Sequence, residues 1–201
     1  GFVTAEVALG NPRGETVLSA SADGTLKRWQ LASGKLLNTY QGHTGIVTSA
    51  MLTPDGQFVL SASTDKSLIL WEADSGRIVR RLTGHRGPVL SVVLSSDGKS
   101  AFSSSYDGTL RRWDLTTGET RKIYKGHTFN VNTVALSSDE KTLMSGSVDE
   151  TVKLWDVASG RVIKTLNGHR GFVAAVAISR DGRRLLSGGS DRIVRLWDRQ
   201  S

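Results

Sequence analysis

One block of residues repeats through the whole chain at a fixed interval, and this feature restricts the fold more than any other. The pair Gly126-His127 recurs 42 residues earlier and 42 residues later, and Trp155 recurs with the same period. Within this block, His127 is followed by Ser145 after 18 residues, Asp149 follows after 4 more and Trp155 after another 6. A strict period of this length is typical of an array of similar supersecondary units that pack against one another.

Composition narrows the class of protein. The 201-residue chain has a net charge of +7 and no Cys, and its basic residues are scattered in pairs such as Arg80-Arg81. Without Cys, neither a disulfide framework nor a thiolate metal site can form. No apolar run approaches the roughly 18 residues that a membrane helix needs, and the first ten residues lack the features of a signal peptide. We therefore expect a cytoplasmic protein without a membrane segment.

Each block also has the residue pattern of a four-stranded antiparallel sheet. Residues 131–136 are apolar with small side chains, which predicts a first strand covered on both faces. Residues 142–146, 151–155 and 161–166 predict three further strands, separated by turn residues. Apolar character decreases from the first strand to the fourth, as expected for radially arranged sheets whose first strand lines the centre. The sequence thus predicts an all-β propeller.

The motifs Gly-His, Ser-x-x-x-Asp and Trp-Asp at this spacing resemble those of the WD-repeat (WD40) β-propellers, and the resemblance covers essentially the whole chain. Trp-Asp itself occurs in three units, at Trp113-Asp114, Trp155-Asp156 and Trp197-Asp198, whereas the first two units have Trp29-Gln30 and Trp71-Glu72. The resemblance implies that each unit is one propeller blade. We predict a single array of five blades, the fifth without its outer strand, at residues 1–41, 42–83, 84–125, 126–167 and 168–201.

The repeat pattern is interrupted at both ends. The first unit has no Gly-His, and the fifth stops before its fourth strand. Propellers have about 4–8 blades, and those of the resembled family most often have seven. Five blades therefore predict an open or incomplete propeller, either a fragment of a longer protein or an arc that forms homo-oligomers through its unpaired end blades. A self-closed ring of five blades is the alternative.

The resemblance implies a structural hydrogen-bond network of His, Ser, Asp and Trp in each blade. The Asp would accept a hydrogen bond from the His, the His would bond the Ser, and the Ser would bond the Trp indole. The first blade lacks the His. The implied tetrads are His43, Ser61, Asp65 and Trp71; His85, Ser103, Asp107 and Trp113; His127, Ser145, Asp149 and Trp155; His169, Ser187, Asp191 and Trp197; and the incomplete set Ser19, Asp23 and Trp29.

Ser, His and Asp also form the catalytic triads of hydrolases. An active site is normally single, whereas this set occurs four times, and no Gly-x-Ser-x-Gly elbow accompanies it. One His per unit, held apart on separate blades, does not supply the ligands of a tetrahedral metal site. The sequence therefore predicts no catalytic residue, no metal site and no cofactor.

The resemblance also implies that partners bind at the rim of the central opening. The positions concerned lie three and five residues after the repeat His and just before the repeat Asp. They differ between units, with Tyr106 and Phe172 as aromatic anchors, so we predict a non-catalytic scaffold that binds protein or peptide partners. The alternative is that they are unconstrained surface residues. The twelve positions are Ile46, Thr48, Thr64, Pro88, Leu90, Tyr106, Asn130, Asn132, Val148, Phe172, Ala174 and Ser190.

A second functional hypothesis is that a basic surface binds nucleic acid or another polyanion. Lys27, Arg111, Lys153 and Arg195 each precede a repeat Trp by two residues and would form an outer basic belt. No aromatic residues for base stacking and no nucleic-acid motif accompany them, so this hypothesis ranks below protein binding. A third hypothesis is a propeller module within a larger regulatory protein or enzyme.

Overall fold

The computed structural model describes the backbone of residues 3–10 and all of residues 16–199. Every regular element in these ranges is a β-strand, and no helix there could cross a membrane. The 19 strands are β1 (Val3–Gly10), β2 (Thr16–Ser21), β3 (Thr25–Gln30), β4 (Leu36–Gln41), β5 (Val47–Leu52), β6 (Phe58–Ser63), β7 (Leu68–Glu72), β8 (Ile78–Leu82), β9 (Val89–Leu94), β10 (Ser100–Ser105), β11 (Thr109–Asp114), β12 (Thr120–Lys125), β13 (Val131–Leu136), β14 (Thr142–Ser147), β15 (Val152–Asp156), β16 (Val162–Leu166), β17 (Val173–Ile178), β18 (Arg184–Gly189) and β19 (Val194–Asp198).

The strands form five antiparallel sheets in chain order, and each strand pairs with its neighbour in sequence. Blades 1 to 4 contain β1–β4, β5–β8, β9–β12 and β13–β16, and blade 5 contains β17–β19. The predicted all-β architecture of five antiparallel blades, with three strands in the fifth, is therefore confirmed. Residues 1–2, 11–15 and 200–201 of the predicted first and fifth blades lie outside the described residues.

Successive blades pack against each other along their first strands. β1 contacts β5, β5 contacts β9, β9 contacts β13, and β13 contacts β17. No comparable contact joins β17 to β1 in the described part of the chain. The sheets thus form an open array, as the incomplete propeller predicts, and not the self-closed five-bladed ring.

The apolar core lies between the blades. Side chains alternate between the two faces of a strand, so each blade offers one face to the blade before it and the other to the blade after it. At the last of four such contacts, Met144 and Leu154 of blade 4 pack against Val173 and Leu185 of blade 5. Burying one such side chain contributes roughly 1.5–3 kcal/mol to folding. Each blade is therefore stabilised mainly by its neighbours.

The first strand is less completely covered than the sequence pattern predicted. In β14, the second strand of blade 4, every side chain is buried, whereas β13 alternates between buried and half-buried positions. The first strand is the inner edge of each sheet, so its small side chains remain accessible from the open centre, while the second strand lies between neighbouring blades. In β17, Ala175 and Ala177 are exposed for a different reason: they lie with Leu186 and Val194 on the face of blade 5 that no following blade covers in the described chain.

Candidate functional site

The structure brings the repeated His, Ser, Asp and Trp together in one chain of hydrogen bonds. In blade 4, His127 Nδ1 lies 2.7 Å from Asp149 Oδ2, and His127 Nε2 lies 2.8 Å from Ser145 Oγ. Trp155 Nε1 donates to the same Ser145 Oγ at 2.8 Å. The corresponding distances in blades 2, 3 and 5 are between 2.8 and 3.0 Å. Four of the five predicted sets are thus assembled completely.

When the imidazole is neutral and its Nδ1–H faces the carboxylate, this network has one arrangement of protons. The Trp155 indole can only donate, so the Ser145 hydroxyl accepts from it and donates its own proton to His127 Nε2; His127 Nδ1–H then donates to Asp149. Burial lowers the pKa of His127, although the hydrogen bond to Asp149 acts in the opposite direction and raises it. Although burial opposes the shift, hydrogen bonds from Thr151 and His127 lower the pKa of Asp149. The imidazole is therefore neutral and the carboxylate ionised at neutral pH.

The order Ser–His–Asp is that of a hydrolase triad, but the serine has no access to a substrate. Ser61, Ser103, Ser145 and Ser187 are all buried. Each Oγ also accepts a hydrogen bond from the repeat Trp of its blade. A nucleophile must approach the reacting atom to about 3–3.5 Å, which this packing prevents. The arrangement joins the loop before the first strand to the second and third strands of a blade and suits a structural role.

The first blade retains only part of the network. Trp29 Nε1 donates to Ser19 Oγ at 2.9 Å. Asp23 accepts hydrogen bonds from the backbone N–H and the hydroxyl of Thr25, at 2.9 and 2.7 Å. Asp23 is exposed, whereas the carboxylates of the complete tetrads are largely buried. Because the His is missing, the network of this blade is divided into two separate contacts, one between Trp29 and Ser19 and one between Asp23 and Thr25.

The predicted partner-binding residues meet in pairs on the loops at one end of the blades. The residue just before the repeat Asp donates a backbone hydrogen bond to the residue three positions after the repeat His. Tyr106 N–H thus bonds the Pro88 carbonyl, and Ser190 N–H bonds the Phe172 carbonyl, both at 2.9 Å. Tyr106, which is 53% exposed, and Phe172 both present aromatic surface to solvent. The same bond joins the pairs Ile46 and Thr64, and Asn130 and Val148.

The positions five residues after the repeat His contribute to blade packing. Thr48 Oγ1 donates to the Val89 carbonyl of the next blade at 2.7 Å, and Asn132 Nδ2 donates to the Val173 carbonyl of the next blade at 3.0 Å. These bonds arise because the first strands of neighbouring blades lie side by side. Two of the predicted contact residues therefore have structural roles. Of the other two, Leu90 is half-buried and Ala174 is exposed.

Sequence reasoning missed Phe129, which is 61% exposed and lies in the loop that enters blade 4. The equivalent residues of three other blades are glycines, Gly45, Gly87 and Gly171. At Gly45, an added Cβ would lie 2.9 Å from the Asp65 nitrogen, so the backbone there approaches closely. The replacement of a repeated Gly by Phe in one unit was the signal that could have identified it.

The residues predicted to form an outer basic belt lie half-buried against the repeat Trp. The Arg111 guanidinium lies 5.8 Å from the centre of the Trp113 ring, and Arg195 Nη1 donates to Asp191 at 2.8 Å. Residues two apart on a strand share a face, and Ile69 at this position in blade 2 is fully buried. The structure therefore does not place these cations in an exposed belt. Half-buried positions are also found for Lys27 and Lys153.

Comparison with known protein families agrees with this architecture. Residues 14–129, more than half of the chain, match the model of the NWD2 C-terminal beta-propeller. Residues 118–156 and 160–198 match the model of the WD domain, G-beta repeat. No curated protein gives a significant match. The chain therefore belongs to the WD-repeat β-propeller family, whose propellers generally mediate protein–protein interactions and are generally non-catalytic.

Proposed function

We propose that the chain is a non-catalytic scaffold that binds a protein or peptide partner through its rim loops, with Tyr106, Phe129 and Phe172 as anchors. One observation carries this proposal. Large aromatic side chains are exposed at loop positions that differ between blades, while the tetrads beneath them have nearly identical geometry. Exposed aromatic residues on a fixed scaffold are typical of binding hot spots.

The rim loops support binding because they are held in place before any partner arrives. The Tyr106 backbone is tied to Pro88, and the adjacent Asp107 is tied to His85 at 2.8 Å. Ordering flexible groups on binding costs roughly 0.5–1.5 kcal/mol for each side chain, so a preorganised surface loses less free energy. The tetrads thus serve binding indirectly, by fixing the loops that carry the variable residues.

The test is affinity capture from cell extract with the wild-type chain and with the variants Tyr106→Ala, Phe129→Ala and Phe172→Ala. We expect at least one captured protein to be lost from the variants. Ile163→Ala is the matched control, because Ile163 is an exposed apolar residue on the outer strand of blade 4, outside the rim. Capture that survives all three rim variants, or that Ile163→Ala also removes, would contradict the rim proposal.

We also propose that the chain self-associates through its end blades, because blade 5 exposes an apolar face. Leu186, Val194 and Leu196 are exposed there. The equivalents of Leu186 and Val194 in blade 1 are Leu18 and Leu26, which pack with Val59 and Trp71 of blade 2, whereas the equivalent of Leu196 is Arg28. Blade 1 has Val17 and Trp29 at the positions of Val59 and Trp71, so blade 1 of a second copy could pack on blade 5 in the same way. Such a contact is heterologous and builds open or closed assemblies.

Self-association is tested by measuring solution mass as a function of concentration. We expect mass to rise with concentration for the wild type and to remain that of a monomer for Leu196→Lys. Ile163→Lys, which places a Lys at an exposed apolar site on another surface, should behave as the wild type. A monomer at all wild-type concentrations, or equal masses for both variants, would contradict this proposal.

Polyanion binding has weaker support. The four cations two residues before the repeat Trp are half-buried, and three of them, Arg111, Lys153 and Arg195, donate hydrogen bonds within their blades. A continuous basic track of the kind that follows a nucleic-acid backbone needs exposed charges. A mobility-shift titration at increasing salt distinguishes this hypothesis from peptide binding.

A further inference from the structure

A cleft of about 410 Å³ lies where the outer strands of blade 3 meet the loop that enters blade 4. Its walls include three cationic side chains, Arg86, Arg111 and Lys125, with Asp107 as its carboxylate. Ile123 supplies an apolar wall. Three positive charges thus surround a space that contains a single negative one.

Both oxygens of Asp107 accept hydrogen bonds from neighbouring groups of blade 3. Oδ2 accepts hydrogen bonds from His85 Nδ1 at 2.8 Å and from the Arg86 backbone N–H at 2.9 Å. Oδ1 accepts from the backbone N–H and the hydroxyl of Thr109, at 3.0 and 2.6 Å. The carboxylate therefore serves the structural network of blade 3, and within the described part of the chain it forms no ion pair with Arg86, Arg111 or Lys125.

The Arg111 guanidinium has unused hydrogen-bonding capacity. Its Nη1 donates to Thr120 Oγ1 at 3.3 Å, and its Nε is buried without a partner. Burial and the nearby Arg86 lower the pKa of Arg111, while Asp107 raises it. A guanidinium stays protonated under all these influences. Arg111 is therefore a fixed cation that is flanked by a second cation and forms no ion pair in the described part of the chain.

Blade 3 differs from the other blades in the charges at these three positions and in the pairing of its Arg. In blade 5, Arg195 at the position of Arg111 forms an ion pair with Asp191 at 2.8 Å, but no such pair joins Arg111 to Asp107 in the described part of the chain. The three cationic positions of blade 3 hold mostly neutral residues in the adjacent blades. They are Thr44, Ile69 and Thr83 in blade 2, and Thr128, Lys153 and Asn167 in blade 4.

We propose that this cleft binds the phosphate group of a phosphorylated protein segment. A phosphorylated side chain carries about −1.5 to −2 charges and three strong acceptor oxygens, which suits three cations opposed by one carboxylate. Arg is the residue best matched to phosphate, because its planar donors bind two oxygens at once. Clusters of Arg are a recurring means of recognising phosphorylated motifs.

A peptide fits this cleft better than a nucleic acid. The three cations converge on one compact site, whereas a nucleic-acid strand requires cations spaced along successive phosphates. The exposed Phe129 lies beside the cleft, since its carbonyl oxygen would be 3.5 Å from a Cβ added to Gly108. It offers apolar surface to residues that flank a phosphorylated side chain. The three cations that would hold the phosphate are not rim anchors, so phosphate binding does not depend on the rim proposal.

The test is a titration of the isotope-labelled chain with inorganic phosphate, O-phosphoserine and a short single-stranded RNA, at constant ionic strength with chloride as the reference ion. Binding is followed by the Nε–H resonances of the arginine side chains. We expect phosphate and O-phosphoserine to shift the Arg111 resonance saturably. The variants Arg86→Thr, Arg111→Ile and Lys125→Asn, which carry residues found in the adjacent blades, should each weaken binding several-fold, and the triple variant at least tenfold.

Lys153→Ile is the matched control, since it removes a cation from the corresponding place in blade 4 and should leave phosphate binding unchanged. Tyr106→Ala and Phe172→Ala should also bind phosphate normally, so failure of the rim proposal can be distinguished from failure of this one. Thermal melting checks that each variant is folded. The proposal is overturned if phosphate and O-phosphoserine produce no saturable shift, or if Lys153→Ile weakens binding as much as the cleft variants do. It is also overturned if the triple variant loses binding of RNA but keeps binding of phosphate and O-phosphoserine.

Discussion

Blades 4 and 5 carry equivalent residues in the same register, yet these residues have opposite environments. Val152 and Leu154 in β15 are 0% and 1% exposed, whereas Val194 and Leu196 in β19 are 74% and 62% exposed. The two strands pair with their preceding strands in the same register. Two differences remain: blade 4 has a following blade to pack against and blade 5 has none in the described chain, and β15 pairs with an outer strand, β16, whereas β19 is the last strand of its described sheet.

This comparison shows that a repeat unit encodes a face, while a neighbouring unit determines whether that face is core. Hydrogen bonding within the blade does not depend on the neighbour, because blade 5 forms its tetrad with distances close to those of blade 4. Apolar burial does depend on it. The stability of such an array is accordingly a sum of internal terms and nearest-neighbour terms.

The largest expected effect tests this comparison directly. We expect Leu154→Ala to reduce the free energy of unfolding by about 2–5 kcal/mol, as for buried Leu in general. Leu196→Ala should change it by about 0.5 kcal/mol or less, as for a surface residue. Urea unfolding followed by Trp fluorescence measures both. Equal losses would mean that the exposed face of blade 5 is covered in solution, and a dependence on protein concentration would identify a second copy as the cover.

The next effect compares a complete tetrad with the incomplete one. Asp149→Ala should lower the free energy of unfolding by about 1–3 kcal/mol, because buried donors such as His127 Nδ1–H lose their acceptor. Asp23→Ala in the first blade should cost less than about 1 kcal/mol, since Asp23 is exposed and has no His partner. Denaturant melts of both variants provide the measurement. An unchanged midpoint for Asp149→Ala would remove the network from the account of stability.

A smaller effect concerns the turn after the repeat Asp, which is independent of the neighbouring blade. Glu150 and Arg192 adopt φ values of +67° and +63°, whereas Gly108 has this conformation in blade 3. A left-handed conformation costs a non-glycine residue roughly 1–2 kcal/mol, and the greater backbone freedom of unfolded Gly offsets part of the gain. We expect Glu150→Gly and Arg192→Gly each to stabilise the chain by about 0.5–1 kcal/mol. Thermal melting of both variants provides the measurement. Unequal shifts in melting temperature for Glu150→Gly and Arg192→Gly would show that the turn does depend on the neighbouring blade.

The smallest expected effect is the pH dependence of stability that arises from the tetrads of blades 2 and 4. Burial lowers the pKa of His43 and His127 below the ordinary value of 6.5. As pH falls below 6.5, the imidazoles of the unfolded chain become protonated while those of the native chain stay neutral. The free energy of unfolding therefore decreases. The lowered pKa of Asp65 and Asp149 extends this loss below pH 3.8.

This prediction is checked by urea unfolding at pH 7.5 and pH 5.5. His127→Asn should be less stable than the wild type at both values but should lose less stability between them. A wild-type free energy of unfolding that stays constant or rises on acidification would show that the imidazoles are protonated in the native blades.

The fold could be read from the sequence because its restraints are local and repeated. The 42-residue period, the turn residues and the Trp spacing each indicate the same four-stranded unit, and strand β13 has the predicted bounds. The residues of four tetrads have identical spacing in the sequence and lie within hydrogen-bonding distance of one another in the structure. Element ends such as β14 and β15 shifted by one residue, because turns leave their boundaries open.

The candidate sites were harder to predict. Thr48 and Asn132 have the composition of surface residues, but their side chains bond the next blade. The cations two residues before each Trp looked like an exposed belt, although the face they share with the Trp places them half inside. The charged cleft of blade 3 combines Arg86, Arg111 and Lys125 from separate parts of one repeat. No linear motif joins them.

The amino-acid sequence alone determined the unit of construction, the number of blades and the residues of the tetrads, because these depend on hydrogen bonds and turns within one repeat. Only the tertiary structure decided which equivalent residues are core and which are surface, as Leu154 and Leu196 show. It also decided which cations remain unpaired. The physical reason is that burial and ion pairing are set by the neighbouring blade and by side-chain geometry, which identical local patterns do not specify.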